Sequence, residues 1–273
     1  MLQVSQLFIY PIKSLGGIAK QDIEITSTGF KHDRRWMLVD DQNVFLTQRT
    51  YPQMALLQTA ETGTGITVTN KLNSSQSITI PFETSYAAKT KVIVWDDVCD
   101  AFEINEELNA WFSEMLHINC KLVYMPDDTK RLVDKRYATN DEITSFADGY
   151  PILMIGQSSL DNLNEKLTEA LPVNRFRPNI VFTGGHAHIE DEMAVFEINA
   201  VNFFGVKPCA RCMITTINQQ TAEAGKEPLR TLAGYRMKNN KIYFGQNVLQ
   251  QQNGSIQIGN EIKILRQVEA FIS

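Results

Sequence analysis

Leu2-Gln-Val-Ser-Gln-Leu-Phe-Ile-Tyr10 is a short segment of alternating character, and it sets the pattern for the first hundred residues. Ile23 to Thr26, Trp36 to Leu46, Ile66 to Thr69 and Ser77 to Ile80 share that character, and each reads as a strand. Polar tetrads such as Asp40-Asp41-Gln42-Asn43 suit turns, because Asp and Asn side chains bond back to their own backbone and tolerate unusual dihedrals. An antiparallel barrel or sandwich is expected.

Beyond residue 100 the period changes. Leu108, Trp111, Phe112 and Met115 repeat at helical spacing, so a helix is expected from about Asn105 to His117, with Asn105 or Glu106 serving its first turn. Leu160, Leu163 and Leu167 predict a second helix near Ser159 to Leu171, capped by its opening serines and stopped by Pro172. Strands then resume at Ile180–Thr183, Phe196–Phe204, Met213–Ile217, Lys241–Phe244 and Glu261–Leu265. The charged stretch from Met125 to Arg136 follows the strand Lys121–Tyr124 and is the best boundary. The expected organisation is therefore a mainly β fold with a few helices, divided into domains 1–125 and 126–273.

The 273 residues carry 26 basic and 31 acidic side chains, a net charge of −5, so bulk electrostatics give no attraction for nucleic acid or an acidic membrane face. An anion would need a local cluster. The N-terminus lacks the pattern of a secretory signal, and nowhere do eighteen apolar residues run together. A cytoplasmic protein with no membrane partner is expected. Cys99, Cys120, Cys209 and Cys212 are too few for a disulfide scaffold, and only the last two are close, so the paired spacing of a four-cysteine zinc site is missing.

Lys207-Pro-Cys-Ala-Arg-Cys212 is the most reactive-looking segment. Two thiols beside a guanidinium fit a metal thiolate or redox centre, since a nearby cation favours the thiolate; they also fit two small buried side chains. Two cysteines cannot fill a four-coordinate site, so a metal there needs other ligands. Tyr10-Pro-Ile-Lys-Ser-Leu-Gly-Gly17 offers Lys13, Ser14 and flexible backbone N–H groups to an anion, or is a plain loop. Arg34 or Arg35 can pair with Asp33. Alternation sends Arg177 and Asn179 to one side, towards a ligand or towards solvent at a strand entrance. His186 and His188 have metal-pair spacing without a third ligand and read as loop histidines.

Taken in order, Tyr10-Pro-Ile-Lys-Ser14, Asp33-Arg-Arg-Trp36, Leu46-Thr-Gln-Arg49, Asp148-Gly-Tyr-Pro151, Phe176-Arg-Pro-Asn-Ile-Val181, Cys209-Ala-Arg-Cys212 and Glu227-Pro-Leu-Arg-Thr-Leu232 resemble the molybdenum cofactor sulfurase C-terminal (MOSC) domain family, in its form with an N-terminal β-barrel domain. The resemblance covers nearly the whole chain. It implies an N-terminal barrel-like domain followed by a MOSC β-barrel, a molybdenum–molybdopterin cofactor, and reduction of N-hydroxylated compounds. By position it assigns the metal to Cys212 and not Cys209. Lys13, Ser14 and Arg34 fall at the cofactor's phosphate and pterin, joined by Arg177 and Asn179, while Gln157, Ser158 and Ser159 fall where the family offers polar groups to the pterin. The dithiolene would supply the missing soft ligands. No plant-type iron–sulfur spacing is present, so electrons are expected from a separate ferredoxin-, flavodoxin- or flavoprotein-type donor. The competing readings are a sulfur-transfer protein carrying a persulfide on Cys212, a cofactor carrier, and a zinc-binding module.

Overall fold

The computed structural model describes residues 1–83, 86–138 and 140–272. Its central feature is a closed seven-strand β-barrel. Around the barrel the strands run Ile152–Gly156, Ile180–Thr183, Leu2–Ile9, Glu261–Gln267, Met193–Ile198, Val201–Ala210 and Lys241–Gln250, and the last pairs back onto the first. All these pairings are antiparallel except that of Ile152–Gly156 with Ile180–Thr183, which the helix Gln157–Asn164 bridges. Closure leaves the barrel wall without a free edge. Val4, Leu7, Ile9, Met154, Phe182, Phe196, Phe203 and Val248 fill its core.

The strand Leu2–Ile9 is thus built into a barrel whose other strands come from residues 152–267, pairing with Ile180–Thr183 on one side and Glu261–Gln267 on the other. The intervening chain forms a four-strand antiparallel sheet, Trp36–Val39, Lys121–Tyr124, Asp97–Glu103 and Ala88–Val94, and a three-strand sheet, Leu57–Glu61, Gly65–Asn70 and Asn73–Pro81. These share a core with the helix Glu106–Leu116. Asn105 caps that helix by accepting from the Leu108 N–H at 2.9 Å, and His117 ends it in the left-handed region. Leu108, Phe112 and Leu116 are its buried face.

Four local expectations are corrected. The second helix stops at Asn164, whose side chain takes both the N–H and the carbonyl of Leu171 and so ties off the following turn. Phe196–Phe204 is not one strand but a hairpin, because Asn199 and Ala200 both adopt positive φ and turn the chain between Ile198 and Val201. Met213–Thr216 is a 3-10 turn. There the Thr215 and Thr216 hydroxyls donate to the carbonyls of Cys212 and Met213, a local bond that competes with a sheet ladder. Trp36–Leu46 is a strand only to Val39, since Asp40 accepts from the N–H groups of Gln42 and Val44 and closes a turn.

The charged stretch after Met125 is pinned to both neighbours. Arg131 donates to Asp97 and to the carbonyls of Ser145 and Ala147, and Arg35 holds the Met125 carbonyl and Asp127. Among the described residues no helix is long and apolar enough to cross a membrane.

Candidate functional site

One rim of the barrel faces the sheet-and-helix half of the molecule across a cavity of about 260 Å³. Lys13, Arg34 and Arg49 reach it from the first half of the sequence, and Arg175, Arg177, Lys207 and Arg211 from the second. Among the described residues Asp148 is the one carboxylate on its wall. Positive charge is thus concentrated locally in a chain of net charge −5.

The Tyr10 ring organises one corner. The guanidinium carbons of Arg34 and Arg177 lie 4.3 and 4.2 Å from its centroid. Arg34 pairs with buried Asp33 and donates to Asn179 Oδ1 at 3.0 Å, so the doublet is a structural ion pair and a wall of the cavity at once. Burial raises the Asp33 carboxyl, against the pull of Arg34. Asn179 is fully occupied: its Oδ1 also accepts from the Leu153 N–H, and its Nδ2 donates to the Phe8 carbonyl. It positions Arg34 more than it offers itself to a guest. Burial, reinforced by the charge of Arg34, lowers Arg177 to about 10, and its Nη2 is buried with no partner.

Lys13 sits beside this corner, donating to the Phe146 carbonyl at 2.8 Å and to Asp148 at 2.6 Å. Burial lowers its ammonium to about 8, with Asp148 holding it up. At Asp148 the crowding protein favours the neutral acid, but Lys13, Arg49 and the Trp95 indole overcome this and hold the carboxyl well below the usual range. Ser14 completes the corner in a left-handed conformation, φ 68°, with its carbonyl taken by Gln48.

Both cysteines of the Cys-x-x-Cys segment reach the cavity, and each has its own arginine. Arg49 Nε donates to Cys212 Sγ at 3.3 Å, and Arg211 Nη1 to Cys209 Sγ at 3.0 Å. Arg49 is steadied by Trp95, 4.2 Å from the ring centroid, whose indole N–H donates to Asp148. Trp95 lies in the two-residue loop of the hairpin 88–103 with φ 57°, a place that favours Asn or Gly. Among the described residues no three His, Cys, Asp or Glu side chains gather as a metal site, so a metal on Cys212 needs ligands from outside the protein.

Lys13, Ser14, Arg34, Arg177, Asn179 and Cys212 are therefore brought together. Gln157, Ser158 and Ser159 do not line this cavity. Leu153 is the part of its strand on the cavity, and the helix begins beyond Gly156, about 10 Å further along at the usual strand rise. There Ser159 bonds Glu190 and the His188 N–H, Ser158 the Gly185 carbonyl, and Gln157 the carboxylate of Asp161. His186 and His188 also lie outside the cavity lining. Arg49, Asp148, Tyr150 and Lys207 are among the wall residues that the sequence left without a role; all four stand within quoted segments, but nothing local tells that they meet.

The class this defines is a closed β-barrel protein whose rim carries a thiol amid cations. The chain belongs to the MOSC family: residues 1–119 match the MOSC N-terminal beta barrel domain and residues 141–263 the MOSC domain. It is 28% identical to the mitochondrial amidoxime-reducing component 1 of Mus musculus over 97% of this chain and 82% of that protein. It is 26% identical to the molybdenum cofactor sulfurase of Oryza sativa subsp. japonica, over 96% of this chain but 35% of that longer protein. A solved structure of the YUAD protein of Bacillus subtilis aligns over 96% of this chain and 94% of that one, with 9% identity and a TM-score of 0.43.

Proposed function

We propose that this protein is a molybdenum-cofactor reductase of N-hydroxylated compounds that draws electrons from a separate ferredoxin-, flavodoxin- or flavoprotein-type donor. The observation that supports this reading above others is the Cys212 thiol on the wall of a cation-lined cavity, where among the described residues no three His, Cys, Asp or Glu side chains gather to hold a metal by themselves. The residues present fit such a cofactor. One thiolate complements the sulfur pair of a dithiolene, and the buried Nη2 of Arg177, without a partner among the described residues, suits an anionic guest.

Cys212 would hold the metal, with Arg49 donating to the same sulfur. Lys13, Ser14 and Arg34 would hold the phosphate and pterin, with Arg177 closing over them and Asn179 fixing Arg34. When bound, the cofactor supplies a redox metal that takes up the oxygen of an N–O bond as two electrons are delivered. Two electrons and two protons convert R–NHOH to R–NH2 and water. The protein's own part is to orient the substrate beside Cys212 and to keep the cations in place before the guest arrives.

The test begins with protein purified from a molybdenum-replete host. One molybdenum per chain, pterin fluorescence after oxidation, and reduction of amidoximes with an artificial reductant are expected; lack of both metal and pterin overturns the proposal. Cys212→Ala should abolish turnover while Cys209→Ala costs less, and equal losses would contradict the choice of ligand. Arg49 beside Cys212 would serve a persulfide equally well, so sulfide released by reductant in the absence of pterin would favour sulfur transfer instead. Tight pterin binding without turnover would point to a carrier.

A further inference from the structure

The cavity has a second cationic corner that the cofactor assignment does not use. Along the barrel rim Lys207 pairs in register with Asn247, Asn247 with Leu153, and the Leu153 carbonyl accepts from the N–H of Asn179. The Lys207 main chain is therefore three strand spacings along the barrel wall from that of Asn179, the residue that holds Arg34.

The far corner is built from unspent donors. The Lys207 ammonium makes no hydrogen bond or ion pair among the described residues and lies 4.6 and 5.8 Å from the ring centroids of Tyr137 and Tyr150. The Tyr150 hydroxyl is buried with no partner, as is Nε of Arg211. Burial, with Asp134 and Tyr137 nearby, raises the Tyr150 phenol far above its usual range and keeps it a donor. All three residues line the cavity, beside Cys209. Buried polar groups are ordinarily satisfied, and two of them beside an ammonium without a partner among the described residues suit an anionic acceptor from outside.

We propose that Lys207, Tyr150 and Arg211 form a second anion subsite that receives an acidic substituent of the substrate, so that the preferred substrates are N-hydroxylated compounds carrying a carboxylate or phosphate group. The subsite follows from the geometry alone; the N-hydroxylated part of the claim rests on the reductase reading above.

The experiment compares benzamidoxime with 4-carboxybenzamidoxime on the cofactor-loaded protein, first by calorimetric titration without reductant and then in turnover. The acid is expected to bind at least tenfold more tightly, with the preference in kcat/KM residing mainly in KM. Lys207→Gln should reduce that preference by a factor of roughly 10–100, the worth of one charge-assisted hydrogen bond, and Lys207→Arg should restore most of it. Tyr150→Phe should reduce it several-fold. Equal binding of the two compounds, or a preference that survives Lys207→Gln, overturns the subsite. Tight binding of the acid with no reduction of either compound upholds the subsite and overturns the reductase reading.

Discussion

Asn179 connects the barrel to the site through one amide. Its Oδ1 serves Arg34 and the Leu153 N–H, and its Nδ2 the Phe8 carbonyl, all in a position 1% exposed. Asn179→Ala strands these buried groups and should cost roughly 1–3 kcal/mol, read as a lower denaturant midpoint. His188 behaves differently. Burial first, then Arg236, Lys166 and His186, lower its imidazole to about 4, and neither ring nitrogen has a partner. Between pH 6.5 and about 4 the unfolded chain takes up a proton that the folded chain refuses, so stability at this site falls as pH is lowered through that window. His188→Asn tolerates the left-handed backbone at φ 66° and does not titrate, so its melting temperature should depend less steeply on pH over this range. An unchanged slope would assign the acid sensitivity to other groups. Such roles are not written in the local sequence: the partners of Asn179 are up to 171 residues away.

At the scale of elements, legibility follows how local the determining bond is. The helix Glu106–Leu116 was readable because its cap, period and end are all set within a dozen residues. Asn105→Ala removes the bond to the Leu108 N–H and should destabilise the protein by about 1 kcal/mol in denaturant unfolding, with Asn105→Asp nearly neutral. Met213–Thr216 misled because β-branched residues favour strands, whereas two threonine hydroxyls bonding back along the chain favour a tight turn. Gln157, Ser158 and Ser159, which the resemblance sets at the pterin, stand off the cavity lining. The resemblance supplied a position in a motif, but the strand before them delivers Leu153, not its far end, to the cavity. The two cationic corners became visible only with the barrel register, which sets Lys207, Asn247 and Leu153 side by side.

For the whole molecule, the β class and the meeting of Lys13, Ser14 and Arg34 with Arg177 and Cys212 were legible, the latter because family motifs preserve order across a chain. The place of the first strand was not: alternation marks Leu2–Ile9 as a strand but does not name its neighbours. A fragment beginning at residue 126 would lack that strand and leave Ile180–Thr183 and Glu261–Gln267 as open edges. Such a fragment should aggregate or expose apolar surface to a dye, and adding the peptide 1–12 in trans should reduce the effect; a monomeric fragment with native-like thermal unfolding would contradict this.

That seam also sets a timetable for biosynthesis. Leu2 pairs with Ile262, so one edge of the strand Leu2–Ile9 waits for a partner that is synthesised much later. At about 5–20 residues per second the delay is on the order of 10–50 s. Throughout it a ready-made β-edge stands unclaimed, which makes the nascent chain a natural client for chaperones that shield extended, apolar segments.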